Sequence, residues 1–292
     1  MLETRTRLSE DDLRAVAALE AAVVAHDGGR LKIEWGDLRD RSGDHVNDLL
    51  WTEGGRVVGF AGFDSYDGRV VEVVGMVDPA ARGRGIGGAL LDAAVDVCRQ
   101  RGFAQALLIV PRPSAAGAHL ARRRGGVLEH SEHALRLDVP PAPVAPDPAT
   151  ALRAADRGDV PVLTGLLTDA FGSAPTHLEA GFATGRTLVV EHAGEPVGTV
   201  RLQREGDSGG VYGFAVAPRW QGRGIGRDVL HRVCAQLFDE GVASVRLEVA
   251  VGNDRALGLY TSLGFTPVQT EDYHDLPLDL PLDLPLDVPP RT

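Results

Sequence analysis

The chain has 292 residues, 43% of them hydrophobic and 24% charged, and a formal net charge of −11. That composition suits a globular chain of two ordinary domains, and the acidic balance argues against non-specific binding to nucleic acid or to an anionic membrane. Two cysteines, Cys98 and Cys234, support neither a disulfide framework nor a metal site; with no signal-peptide pattern and no apolar run long enough to span a bilayer, the expectation is a cytoplasmic protein.

Residues 3–8 alternate and predict a first strand. Ser9, followed by Glu10, Asp11 and Asp12, is an N-cap with an acidic first turn. It opens a helix to about His26, with Leu13, Val16, Ala17, Leu19 and Val23 on its apolar side, and Gly28-Gly29 ends it. Residues 30–46 carry little pattern beyond a short helix around Trp35 to Arg39. Strands are predicted over 47–52 and 56–65, joined by a turn at Glu53-Gly54-Gly55, and over 70–77. A glycine-rich loop then opens a helix over 86–101, and strand 104–110, helix 114–124 and strand 133–139 complete the first half.

Pro140, Pro141, Pro143, Pro146 and Pro148 mark a stiff, extended linker over 141–149, dividing the chain into domains 1–140 and 150–279. The second half repeats the order of the first. A strand lies near 150–154, a helix capped by Asp156 or Asp159 runs to about Phe171, and a second helix covers 175–183. Strands follow at 187–192, 196–205 and 211–216, then another glycine-rich loop, helix 225–240, strand 244–251, helix 253–263 and strands 266–270 and 273–278. From Leu276 the unit Leu-Pro-Leu-Asp recurs at Leu280 and Leu284; proline at every fourth position argues against helix or central strand and predicts an extended, low-complexity tail over 280–292.

The two glycine loops define the organisation. Gly85 and Gly224 lie 139 residues apart, and the same offset matches Val77 with Val216, Pro79 with Pro218 and Arg82 with Gln221. The match runs on into the following helices, where Leu90, Leu91, Ala94 and Val95 fall on Val229, Leu230, Val233 and Cys234. Two copies of one fold are expected, each built around a loop whose glycines admit positive φ and whose N–H groups converge at a helix N-terminus. Such a loop suits a pyrophosphate. Gly83, Gly85 and Gly88 also spell G-x-G-x-x-G, but Arg227 replaces the third glycine in the second copy, and a proline-containing turn separates strand from glycines in both. No P-loop motif occurs. Cys98 and Cys234 fall on the apolar faces of the post-loop helices, which predicts core packing.

Arg82-Gly83-Arg84-Gly85-Ile86-Gly87 and Gln221-Gly222-Arg223-Gly224-Ile225-Gly226 resemble the signature of the GNAT acyltransferase superfamily, Arg or Gln followed by x-x-Gly-x-Gly after a strand. The second copy also carries Asn253, Ala256, Tyr260 and Gly264-Phe265 at the spacing of that family's downstream strand and helix. The resemblance implies an α/β (α+β) fold of two tandem domains, each a mixed, mostly antiparallel sheet flanked by helices. It implies acetyl-CoA as acyl donor, held by the loop amides, and N-acetylation of a small-molecule amine by a monomer or homodimer. A protein N-acetyltransferase and a non-catalytic acyl-CoA-binding regulator are the alternatives.

Carried onto this sequence, the resemblance assigns the backbone of Phe214, Ala215 and Val216, on a strand interrupted by a bulge, to the thioester carbonyl. It assigns residues 221–226 and Asn253 to the donor, and Tyr260 to the general acid that protonates the leaving thiolate. Met76, Val77 and residues 82–87 are the donor-binding counterparts in the first copy. There the offset puts Ser114 at Asn253, Ala121 at Tyr260 and Gly125-Gly126 at Gly264-Phe265, so a catalytically degenerate first half is expected. The family's strand-four glutamate has Gly210 in its place, which leaves Glu248, Asp272 and His274 as candidate bases.

Overall fold

The computed structural model describes residues 1–176 and 178–279. The tail predicted over 280–292 lies outside the described residues. The chain divides into two compact units.

The first unit comprises residues 1–64, 69–129 and the C-terminal strand from Tyr273. In chain order it contains β1 (Leu2–Arg5), α1 (Glu10–Asp27), α2 (Trp35–Arg39), β2 (Asp48–Glu53), β3 (Arg56–Asp64), β4 (Val70–Val77), α3 (Ile86–Gln100), β5 (Gln105–Pro111) and α4 (Ala115–Arg123). α1 starts at a capping box in which the Ser9 hydroxyl accepts from the Asp12 N–H and the Asp12 carboxylate accepts from the Ser9 N–H. The strands run β1-β2-β3-β4-β5, antiparallel except for the parallel pair β4/β5. α3 buries Ile86, Leu90, Leu91, Ala94, Val95 and Cys98 against one face of this sheet. α1 and α2 cover the other face through Val16, Leu19, Val23 and Leu38.

The second unit comprises residues 65–68 and 130–272. It contains β6 (Val127–Leu137) from His130 onward, β7 (Thr150–Ala154), α5 (Val160–Phe171), β8 (Thr187–His192), β9 (Glu195–Glu205), β10 (Ser208–Val216), α6 (Ile225–Asp239), β11 (Ser244–Ala250), α7 (Asp254–Ser262) and most of β12 (Thr266–Leu276). Its strands run β7-β8-β9-β10-β11-β6, again antiparallel except for the parallel pair β10/β11. α6 buries Ile225, Val229, Leu230, Val233, Cys234 and Leu237 in the core on one face, and each large side chain there contributes about 1.5–3 kcal/mol. α5 packs Leu163 onto Val189 on the opposite face.

Several elements differ from the sequence reading. The strand expected over 133–139 begins at Val127, straight after the Gly125-Gly126 turn. The strands expected over 266–270 and 273–278 form one, β12, because its polar middle is bonded: Ser131 Oγ donates to Asp272 Oδ1 at 2.7 Å, and His133 Nδ1 pairs with Thr270 Oγ1 at 2.9 Å. The helix expected over 175–183 is 3-10 turns over Leu178–Thr184, where the Thr184 hydroxyl donates to the Gly181 carbonyl and stops propagation. The linker residues 141–149 lie within the second compact unit. β6 pairs with β11 from Val245↔Leu137 to Ala250↔Glu132 and so counts with the second unit, while Tyr273 packs on Leu107 and Ile109 in the first. The linker lies along α6: the Asp147 N–H donates to Asp228 Oδ1 at 2.9 Å, and His231 Nε2 bonds the Ala142 carbonyl. Among the described residues no helix is long and apolar enough to cross a membrane.

Candidate active site

In the second unit β10 ends at Val216, the 3-10 turn Pro218–Trp220 follows, and α6 starts at Ile225. Gly222 and Gly224 take φ of +79° and +89°, the left-handed region that favours glycine. Gly224 is the N-cap and offers no side chain, so the first N–H groups of α6 are left to an external acceptor. A Cβ on Gly224 would meet nothing within 4 Å, so the concavity is open at that point. Arg223 stacks on the Trp220 ring at 4.7 Å, and among the described residues no carboxylate pairs with it.

The first position of the motif has a structural task. Gln221 Nε2 donates to the Val216 carbonyl at 2.8 Å, while its Oε1 accepts from Arg255 Nη1 at 2.9 Å. One amide thereby ties the strand end, the loop and the first turn of α7 together. In the first unit Arg82 Nε donates to the Val77 carbonyl at 3.1 Å, the same bond made by a guanidinium. Its other two nitrogens go to Asp27 at 2.9 and 2.6 Å, and Arg84 pairs with Glu53 at 2.9 Å. Those bonds from Arg82 hold the Asp27 carboxyl down at about 2, so it stays ionised. Gly83 and Gly85 have φ of +74° and +83°, matching the second loop, but this loop carries two carboxylates of its own.

The strands before the two loops differ more. Along β9/β10 the partners are Tyr212↔Arg201 and then Ala215↔Thr199, one residue too many on β10. This is a β-bulge at Gly213-Phe214, with Gly213 at φ +53°. The β3/β4 ladder runs from Gly59↔Val77 to Asp64↔Glu72 without a shift, and Val74 stands where the offset expects Gly213. β10 and β11 pair only from Ser208↔Ser244 to Gly210↔Arg246, then part. Phe214, Ala215 and Val216 therefore border an opening on the β11 side, with backbone groups that the ladder to β11 does not use. β4 and β5 part in the same way after Val73↔Leu108, so Met76 and Val77 also border an opening, but on an unbulged strand.

Tyr260 lies on α7, 8% exposed, with its ring 6.1 Å from that of Phe265. Burial pushes its phenol up to about 12, and its hydroxyl has no hydrogen-bond partner among the described residues. Asn253 caps α7, its Oδ1 accepting from the Ala256 N–H at 3.1 Å; Ser114 caps α4 identically, accepting from the Gly117 N–H at 3.2 Å. The position of Tyr260 is filled in the first unit by Ala121, fully buried in the core.

Of the candidate bases, Glu248 is half-buried on β11, on the face opposite Leu247 and Val249. It is two residues beyond Arg246, as Tyr212 is two beyond Gly210, so Glu248 and Tyr212 stand on the same face at the mouth of the opening. Asp272 accepts from Ser131, and His274 is buried and counts with the first unit. A Cβ on Gly210 would lie 2.3 Å from Cε2 of Tyr212, so the glutamate of the family pattern would require that ring to move. The sequence reading missed Gly213, Trp220, Arg255 and Tyr212. Only Gly213 left a signal, as a glycine inside an apolar strand.

The Acetyltransferase (GNAT) family model matches residues 13–125 and 162–265, and the chain belongs to that family. It is 32% identical over 284 residues to the mycothiol acetyltransferase of Thermobispora bispora, covering 89% of this chain and 94% of that protein. Among solved structures, a GCN5-related N-acetyltransferase from Sphaerobacter thermophilus superposes with a TM-score of 0.77 at 21% identity, covering 97% of this chain and 98% of the other. A tandem GNAT protein from the clavulanic acid biosynthesis pathway gives 0.68 at 18% identity, over 96% and 100% of the two chains. At these identities the two structural likenesses are of fold. By class the protein is a GNAT-type N-acetyltransferase with two GNAT regions in tandem.

Proposed function

We propose that the protein transfers the acetyl group of acetyl-CoA to the amine of a small molecule, and that the second half performs the chemistry. One observation carries the reading: loop, strand opening, a bulge in the strand before the loop and Tyr260 occur together in the second half, whereas in the first half the strand before the loop is unbulged and Ala121 stands at the position of Tyr260. The small-molecule acceptor is carried over from the Thermobispora relative by its name.

Residues 221–226 fit the donor's diphosphate, because two left-handed glycines and an uncapped helix start aim N–H groups into a concavity with space at Gly224. The donor supplies an activated thioester. In this reading the backbone N–H groups at the bulge, Phe214 to Val216, take the developing charge on its carbonyl oxygen. Glu248, at the mouth of the opening, accepts the proton of the incoming amine directly or through water. Tyr260 keeps its proton at neutral pH and delivers it to the departing thiolate. Asn253 caps α7 and thereby orients the helix that carries Tyr260. In the first half, Asp27 and Glu53 occupy the arginines of the loop, and we assign that half a structural role, with one donor site per chain.

The test compares the loops. Gly85 and Gly224 both have open space where a Cβ would be added, and aspartate and asparagine tolerate left-handed backbone better than other residues. Gly224→Asp introduces a negative charge into the anion site and raises the KM for acetyl-CoA by about two orders of magnitude relative to Gly224→Asn. Gly85→Asp leaves the KM within about twofold. Equal sensitivity at both loops overturns the assignment of chemistry to the second half, and insensitivity at both overturns the reading of the loop.

A further inference from the structure

Arg201 stands out among the charged side chains of the second unit. It lies in the middle of β9, exposed, and among the described residues it has neither a carboxylate nor a hydrogen-bond partner. It is nevertheless held in place: its guanidinium lies over the Tyr212 ring, 5.1 Å from the centroid, and Tyr212 is its cross-strand partner.

The register fixes what surrounds this stack. Glu248 and Tyr212 flank the opening between β11 and β10 on one face, and Arg201 is one strand further out on that face. Passing outward from the opening, an acceptor therefore meets a carboxylate, an aromatic ring and then a guanidinium. The turn over residues 65–68 counts with the second unit, and it is fastened there by the Thr176 N–H donating to the Tyr66 carbonyl at 3.3 Å. Tyr66 remains 46% exposed. Its phenol is pushed up to about 12 by desolvation, with the Arg201 charge pulling the other way, so the hydroxyl is a neutral donor within electrostatic reach of Arg201.

We infer that Arg201, held by Tyr212, receives an anionic oxygen group of the acceptor, so that the acceptor is an amine that also bears a carboxylate or a phosphate. The inference rests on the acetyl-transfer reading above and deepens it. The amine end faces Glu248 at the opening and the anion faces Arg201; each charge meets its opposite, which sets orientation as well as affinity.

The experiment uses the full chain with acetyl-CoA and two matched pairs of amines, glucosamine with glucosamine 6-phosphate and tyramine with tyrosine. Turnover is read from the loss of thioester absorbance, and binding of each amine is read by calorimetry. The expected result is a kcat/KM at least about tenfold higher for the charged member of one pair, the phosphate and carboxylate arms telling the two anions apart. In Arg201→Gln that ratio falls about tenfold, in Arg201→Lys by less, and in Tyr66→Phe by a few-fold. Circular dichroism serves as the fold check for these exposed positions. Charged members that neither bind nor react better than their neutral partners overturn the inference, as does an Arg201→Gln variant that keeps the wild-type ratio. Failure of acetyl transfer itself reads differently: no amine would then turn over, while the calorimetric comparison would still decide the role of Arg201.

Discussion

Replacing Tyr260 by phenylalanine separates chemistry from packing. The ring is buried and meets Phe265 at 6.1 Å, and a phenylalanine ring keeps that packing. The hydroxyl has no protein partner among the described residues, so its removal breaks no hydrogen bond and relieves a desolvated polar group. The expected change in stability is within about 1 kcal/mol of zero, which for a chain of this size moves Tm by no more than about 2–4 °C. A general acid contributes about 10²–10⁴-fold to rate, or about 3–5 kcal/mol at the transition state. The variant should therefore lose two or more orders of magnitude in kcat with the calorimetric affinity for acetyl-CoA unchanged. Since the phenol is pushed up to about 12, the proton stays on Tyr260 through the neutral and moderately alkaline range. In the wild type this group produces no falling limb of kcat below about pH 11. An unchanged kcat refutes the role of Tyr260. A fall in Tm well beyond the stated range refutes the claim that its hydroxyl bonds nothing.

Gly213→Ala puts a Cβ on a residue at φ +53°, which costs about 1–2 kcal/mol unless the bulge flattens into a regular ladder; kcat should fall more than tenfold, with a lower Tm in thermal unfolding. Arg255→Ala removes the bond that joins α7 to the loop through Gln221. Both partners are exposed, so Tm holds within about 2 °C, while KM for acetyl-CoA rises and kcat falls together; Asp27→Ala, which frees the matching arginine of the first loop, should leave both within about twofold. Cys98 and Cys234 are buried in the two cores with thiols pushed up to about 12 by desolvation, so the native protein should titrate no thiol with an aromatic disulfide reagent until it is unfolded.

Much of the candidate site was legible because it is local. A left-handed residue at a helix start selects glycine whatever the rest of the chain does, and two such loops at a fixed offset expose the repeat. The cap at Ser9 acts within four residues of itself and is where the pattern puts it. Other features needed a partner. A bulge is a mismatch between two strands, so Gly213 reads in the sequence only as a weak spot until β9 is laid beside it. Gln221 and Arg255 are 34 residues apart, and nothing in either segment announces the bond. The strand β12 was divided in the reading because its middle is polar; it runs on because Ser131 and His133 meet that polarity from another strand.

The sequence by itself determined that there are two glycine loops on strand–loop–helix units, that one copy has the tyrosine and the other does not, and which residues face each core. These follow from backbone sterics and side-chain periodicity, which act over a few residues. Only the tertiary structure decided that β6 counts with the second unit and the end of β12 with the first, that the turn over 65–68 lies with the second, and that Arg201, Tyr212 and Glu248 share a face around one opening. Those outcomes depend on which strands exchange hydrogen bonds across long stretches of chain. Pairing of that kind is set by the collective burial of many strands rather than by any single segment.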